Sequence, residues 1–77
     1  MTYGTLRTQL SAQPFQPFRV VTSSGVTYEI RHPEMAFPLK HDLMVAMPDP
    51  EGIPDRYKIV SMLHITVLEP LDKATSA

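Results

Sequence analysis

The sequence contains no cysteine and no tryptophan, and only three glycines in 77 residues. Without cysteine there is no disulfide staple and none of the common zinc cages, so packing or self-association must hold so short a chain together. Gly4, Gly25 and Gly52 stand singly, which excludes a glycine-rich phosphate loop. There is no basic run either: seven Lys and Arg against eight Asp and Glu give a formal net charge of -1. Nucleic-acid affinity rests on clustered cations that neutralise phosphates, so this balance argues against general nucleic-acid binding and leaves only a local patch built by folding or by symmetry. No stretch approaches the ~20 apolar residues needed to cross a bilayer, and the opening MTYGTLRTQL lacks the apolar core of a signal peptide. A cytoplasmic protein with no membrane partner is expected, in keeping with the absence of cysteine.

Apolar residues make up 43% of the chain, enough for one compact core, while the length is too short for two. One small domain is expected over residues 1 to 71, followed by a flexible C-terminal tail over residues 72 to 77.

Thr2 is placed to cap a short helix that carries Leu6 and Leu10 on one face. Pro14 biases its predecessor away from helical backbone, so the helix must end by Gln13. Two phenylalanines, Phe15 and Phe18, then pin the helix to the sheet. From residue 18 to 30 the period becomes two, with Ser23, Ser24 and Gly25 between the two alternating runs, which predicts a β-hairpin. Pro33 opens a short helical turn that Pro38 ends. Leu43 to Met47 is a continuous apolar run too short for an ordinary helix, hence a strand covered on both faces. Three prolines between residues 48 and 54 make an exposed loop. Two further strands, separated by Leu63 and His64, close the pattern at Pro70.

The fold class expected is therefore mainly β (α+β): a short N-terminal helix and about five antiparallel strands, in a strongly bent sheet or a small SH3-like or Sm-like barrel. An open sheet with the helix across one face predicts similar strand positions.

Among polar residues, His32 and Glu34 flank Pro33, an imidazole and a carboxylate two residues apart that suit proton sharing or metal binding. The same residues also suit the first turn of a short helix, where Glu34 meets the positive end of the backbone dipole. His41 and His64 complete the histidines, in no compact metal-ligand spacing, so neither a metal nor another cofactor is expected. Arg56 and His64 join His32 and Glu34 as candidate binding residues. A second signal is apolar excess. Val21, Met44, Ala46, Val60, Met62 and Leu68 fall out of phase with the expected inward set Val20, Leu43, Val45, Met47, Ile59 and Val67, and the first five are read as an interface.

Four segments carry a resemblance: PFQPFRV at residues 14 to 20, a glycine-containing hairpin, the triplet HPE at 32 to 34, and LHITVLEP at 63 to 70. In these the chain resembles a family of short uncharacterised bacterial proteins, a likeness that implies a folded domain and names no activity. In its order of elements it is also similar to the Sm-like fold, a family whose rings bind RNA. That likeness places RNA contacts in residues 32 to 42 and 61 to 66, which here read HPEMAFPLKHD and SMLHIT, without an Asp-x-x-Met-Asn loop or a Lys-His pair.

The function expected is a non-enzymatic interaction or assembly module that forms homo-oligomers or meets a protein partner. The alternative is an RNA-binding barrel, which requires Arg19, Arg31, Arg56 or Lys58 to converge on one surface. An enzyme built on His32 and Glu34 has the least support.

Overall fold

The computed structural model describes residues 1–71. The expectation of a flexible tail over residues 72 to 77 lies outside them.

Helix α1 (Tyr3–Ser11) starts where the sequence predicts, with the Thr5 backbone N–H donating to Thr2 Oγ1 at 3.2 Å. It ends before Pro14, and it buries Leu6 and Leu10, one helical turn apart. Phe15 meets Phe18 edge to face, with ring centroids 6.1 Å apart. Phe18 itself is fully buried, so this contact joins the linker to the core.

Six strands make up the rest: β1 (Phe18–Thr22), β2 (Thr27–Ile30), β3 (Ala36–Pro38), β4 (Asp42–Pro48), β5 (Pro54–Ser61) and β6 (Ile65–Pro70). They form two antiparallel three-stranded sheets, ordered β2-β1-β6 and β3-β4-β5, with no closed barrel among the described residues. The protein is thus mainly β with one short helix. Its strand count is six where five were expected, because the corner at Pro33 carries a 3-10 turn over Pro33–Met35 only, and the chain then extends beside β4.

The chain changes sheet twice, at that corner and at a second 3-10 turn, Met62–His64, between β5 and β6. The β1–β2 hairpin turns as predicted: Gly25 holds a positive φ of 90°, open to residues without a Cβ, and the buried Thr22 hydroxyl donates to the Val26 carbonyl at 2.7 Å. In the β4–β5 loop Gly52 has a φ of 86°, and Asp49 Oδ1 accepts from the Glu51 and Ile53 N–H groups.

One core lies between the sheets. The first sheet supplies Phe18, Val20, Ile30 and Ile65, the second Ala36, Leu43, Val45 and Val60, the helix Leu6 and Leu10, and the second 3-10 turn Met62. Each large side chain fully buried here contributes roughly 1.5–3 kcal/mol.

Val60 and Met62 correct the sequence reading, since both are buried in this core rather than turned outward. Register decides it. Leu43 faces Val60 across the β4–β5 ladder, so the even-numbered residues of β5 share Leu43's inward face, while Ile59 points outward and is 55% exposed. Val67 is likewise outward, because it lies opposite Val21 while Leu68 lies opposite the buried Val20.

No helix among the described residues is long and apolar enough to cross a membrane.

Candidate functional site

With their inner faces joined in one core, the two sheets differ in what they turn outward. On the first, two cross-strand rows are set by register. Arg19 stands between Glu29 on β2 and Glu69 on β6, and Val21 between Thr27 and Val67. Arg19 reaches both acids, Nη2 to Glu29 Oε2 at 3.3 Å and Nη1 to Glu69 Oε1 at 3.4 Å, and Arg31 Nη2 lies 2.8 Å from Glu29 Oε1. The Arg19 and Arg31 guanidiniums, donating to Glu29, hold its carboxyl below the usual value of 4.5. The first of these rows is a charge ladder, and the second is uncharged.

The second sheet turns out carbon. Phe37, Met44 and Ile59 lie in one row across β3, β4 and β5, and Ala46 faces Tyr57 in the next. Phe37, Tyr57 and Ile59 are each more than half exposed, while Met44 and Ala46, on the central strand, are half-buried between them. The central-strand residues are thus flanked on both sides by more exposed apolar side chains. Rows of this kind ordinarily stabilise a sheet by covering one another, and here the outermost members stay more than half exposed.

Of the expected interface residues, Met44 and Ala46 therefore lie on this apolar face, Val21 on the outer face of the other sheet, and Val60 and Met62 inside. Phe37, Tyr57 and Ile59, which dominate the face, were missed. Their signal is positional, because only the pairing register sets Phe37 and Ile59 on either side of Met44.

The candidate binding residues do not form one cluster. His32 precedes the first 3-10 turn without a side-chain capping bond, and Glu34 lies within it. His32 lines a cleft of about 380 Å³ with Glu29, Arg31, Met35, Pro48 and Gly52, at the corner between the sheets. His64 lines another of about 360 Å³, where its Nδ1 lies 3.3 Å from Ser23 Oγ and its carbonyl accepts from the Ser23 N–H at 2.7 Å. That pairing fastens the β1–β2 turn to the second 3-10 turn. Arg56 sits on β5 opposite Met47. Among the described residues no group of three His, Asp or Glu side chains is placed to hold a metal.

The cations needed for RNA binding are divided between the sheets. Arg19 and Arg31 are engaged by carboxylates on the first, and Arg56 and Lys58 are on β5 of the second.

Compared with known proteins, the chain matches no family model, no curated protein and no solved structure.

Proposed function

We propose that the chain is a non-enzymatic interaction module of the cytoplasm that works by associating with copies of itself. The observation behind this reading is the row Phe37–Met44–Ile59 with Ala46–Tyr57 beside it, an apolar surface spanning all three strands of one sheet. Chain length supports it as well. A domain of 77 residues buries a smaller fraction of its surface than a larger one, and a second copy adds the missing area without a disulfide or metal.

Multi-angle light scattering at micromolar concentration tests the reading. A mass of at least twice the 8.7 kDa of one chain is expected, and a monomer throughout the micromolar range contradicts it.

A further inference from the structure

A sheet takes up a further strand at an edge, because a strand paired on one side alone turns half of its backbone N–H and C=O groups to the open side. Among the described residues four strands hold edge positions: β2 and β6 in the first sheet, β3 and β5 in the second. Three of them are short or carry charges already matched. β3 has three residues and ends at Pro38, β2 has four and its Glu29 is held by Arg19 and Arg31, and β6 ends in Pro70 with Glu69 held by Arg19. β5 is different. It is the longest of the four at eight residues, and Pro54 to Ile59 are exposed in succession, so its first part is open on both faces as well as along one edge.

The charges on β5 are also unanswered. On the first sheet, Arg19 has a carboxylate on each neighbouring strand. On β5, Arg56 lies opposite Met47 and Lys58 opposite Val45, and neither makes an ion pair among the described residues. Asp55 is the extra residue where the β4–β5 register shifts, so the regular part of the strand carries cations only. Arg56 and Lys58 share one face of β5, and Tyr57 and Ile59 share the other. Beside the end of this edge, a cleft of about 360 Å³ opens between Ile59, Val60 and Ser61 of β5 and Tyr28 of β2, two strands that are not paired to each other.

These charges disfavour one occupant and select another. Two copies of β5 paired antiparallel about a two-fold axis at Arg56, Tyr57 or Lys58 set cation directly against cation, which destabilises a ladder. A strand with a carboxylate opposite each of Arg56 and Lys58 reproduces instead the match that Arg19 makes with Glu29 and Glu69. We propose that the open edge of β5 takes up an extended segment of a partner protein in which acidic and apolar residues alternate, the acids opposite Arg56 and Lys58 and the apolar residues opposite Tyr57 and Ile59. Backbone hydrogen bonds along the edge hold the segment, and the two alternating rows fix which segment is accepted. This site goes beyond the self-association proposed above and does not depend on it.

The probe is a fluorophore-labelled peptide of the length of β5 with Glu and Val in alternation, read by fluorescence anisotropy at low salt. It is expected to bind at least tenfold more tightly than a peptide with Lys in place of Glu, or than one of the same composition with the alternation scrambled. Arg56→Glu combined with Lys58→Glu, both at exposed positions and with the fold verified by circular dichroism, should invert the preference between the Glu and Lys peptides. Backbone methylation separates strand addition from simple charge attraction. Methylating every second nitrogen, in one phase or the other, blocks either the groups that face β5 or those that face water, so only one of the two peptides should lose binding. The edge site is overturned by a Glu peptide that binds no more tightly than its Lys or scrambled counterpart, by an unchanged preference in the double variant, or by two methylated peptides that behave alike. Single-stranded RNA bound through Arg56 and Lys58, with no binding of the Glu peptide, would overturn it as well and reassign these cations to phosphates.

Discussion

The two sheets share one core and one strand count, yet they end in opposite chemistries. The outer face of β2-β1-β6 is finished by Arg19 between Glu29 and Glu69, each charge meeting its opposite within the chain. The outer face of β3-β4-β5 stops at Phe37, Tyr57 and Ile59, each of which stays more than half exposed. A face that satisfies itself is suited to water, and one that does not is suited to a partner. What separates the sheets is one outward row on each: Arg19 between two acids on the first, and Met44 between the exposed Phe37 and Ile59 on the second.

The largest effect belongs to what the sheets have in common. Leu43 is fully buried on the inward side of β4, and Leu43→Ala is expected to cost roughly 2–5 kcal/mol, a large part of the stability of so small a domain, read as a collapse of the urea midpoint. A cost below about 1 kcal/mol would mean that the inner faces are not joined as described.

Next comes the apolar face. Tyr57→Ser removes a residue of that face that is 61% exposed, so the folded monomer should change by no more than about 0.5 kcal/mol, while self-association weakens at least tenfold in sedimentation. Equal loss of folding and association would place Tyr57 in the core instead.

The smallest effects lie on the charged face. Arg19→Met should lower the melting temperature only slightly, less as salt is added, and leave association unchanged, since exposed ion pairs contribute little and are screened. Protonation acts the same way. Glu29 has a folded-state pKa below its ordinary 4.5, so its contribution is present above that pH and is lost as pH falls through the depressed value. A Glu29→Gln variant should therefore lose part of the acid-limb slope of stability against pH, and an unchanged slope would remove the ladder from the account.

Much of the architecture was legible in the residues. Thr2 and the Leu6–Leu10 spacing marked the helix, and Ser23-Ser24-Gly25 between two period-two runs marked the hairpin, because capping and turn chemistry are local. β3 was not legible: three residues ending in proline give no period to read. The division into two sheets was hidden as well, since the changes of sheet occur at 3-10 turns whose sequences carry no pairing information. Alternation also separates two faces of a strand without saying which is inner. Along β5 it set Tyr57 and Ile59 apart from Arg56, Lys58 and Val60, and only the pairing of Val60 with Leu43 turned the second set inward. Arg56 and Lys58 escape burial on that side because the first part of β5 is exposed on both faces. Hence Met44 and Ala46 were found as interface residues, and their neighbours across the ladder were not.

Ile59 and Val67 make a matched pair for the central claim: each is a β-branched, outward-facing residue on an outermost strand, 55% and 44% exposed, one on each sheet. Sedimentation of Ile59→Lys and Val67→Lys across the micromolar range should leave the first monomeric and the second associating like the unmodified chain. Identical behaviour of the two variants would contradict the assignment of association to the β3-β4-β5 face.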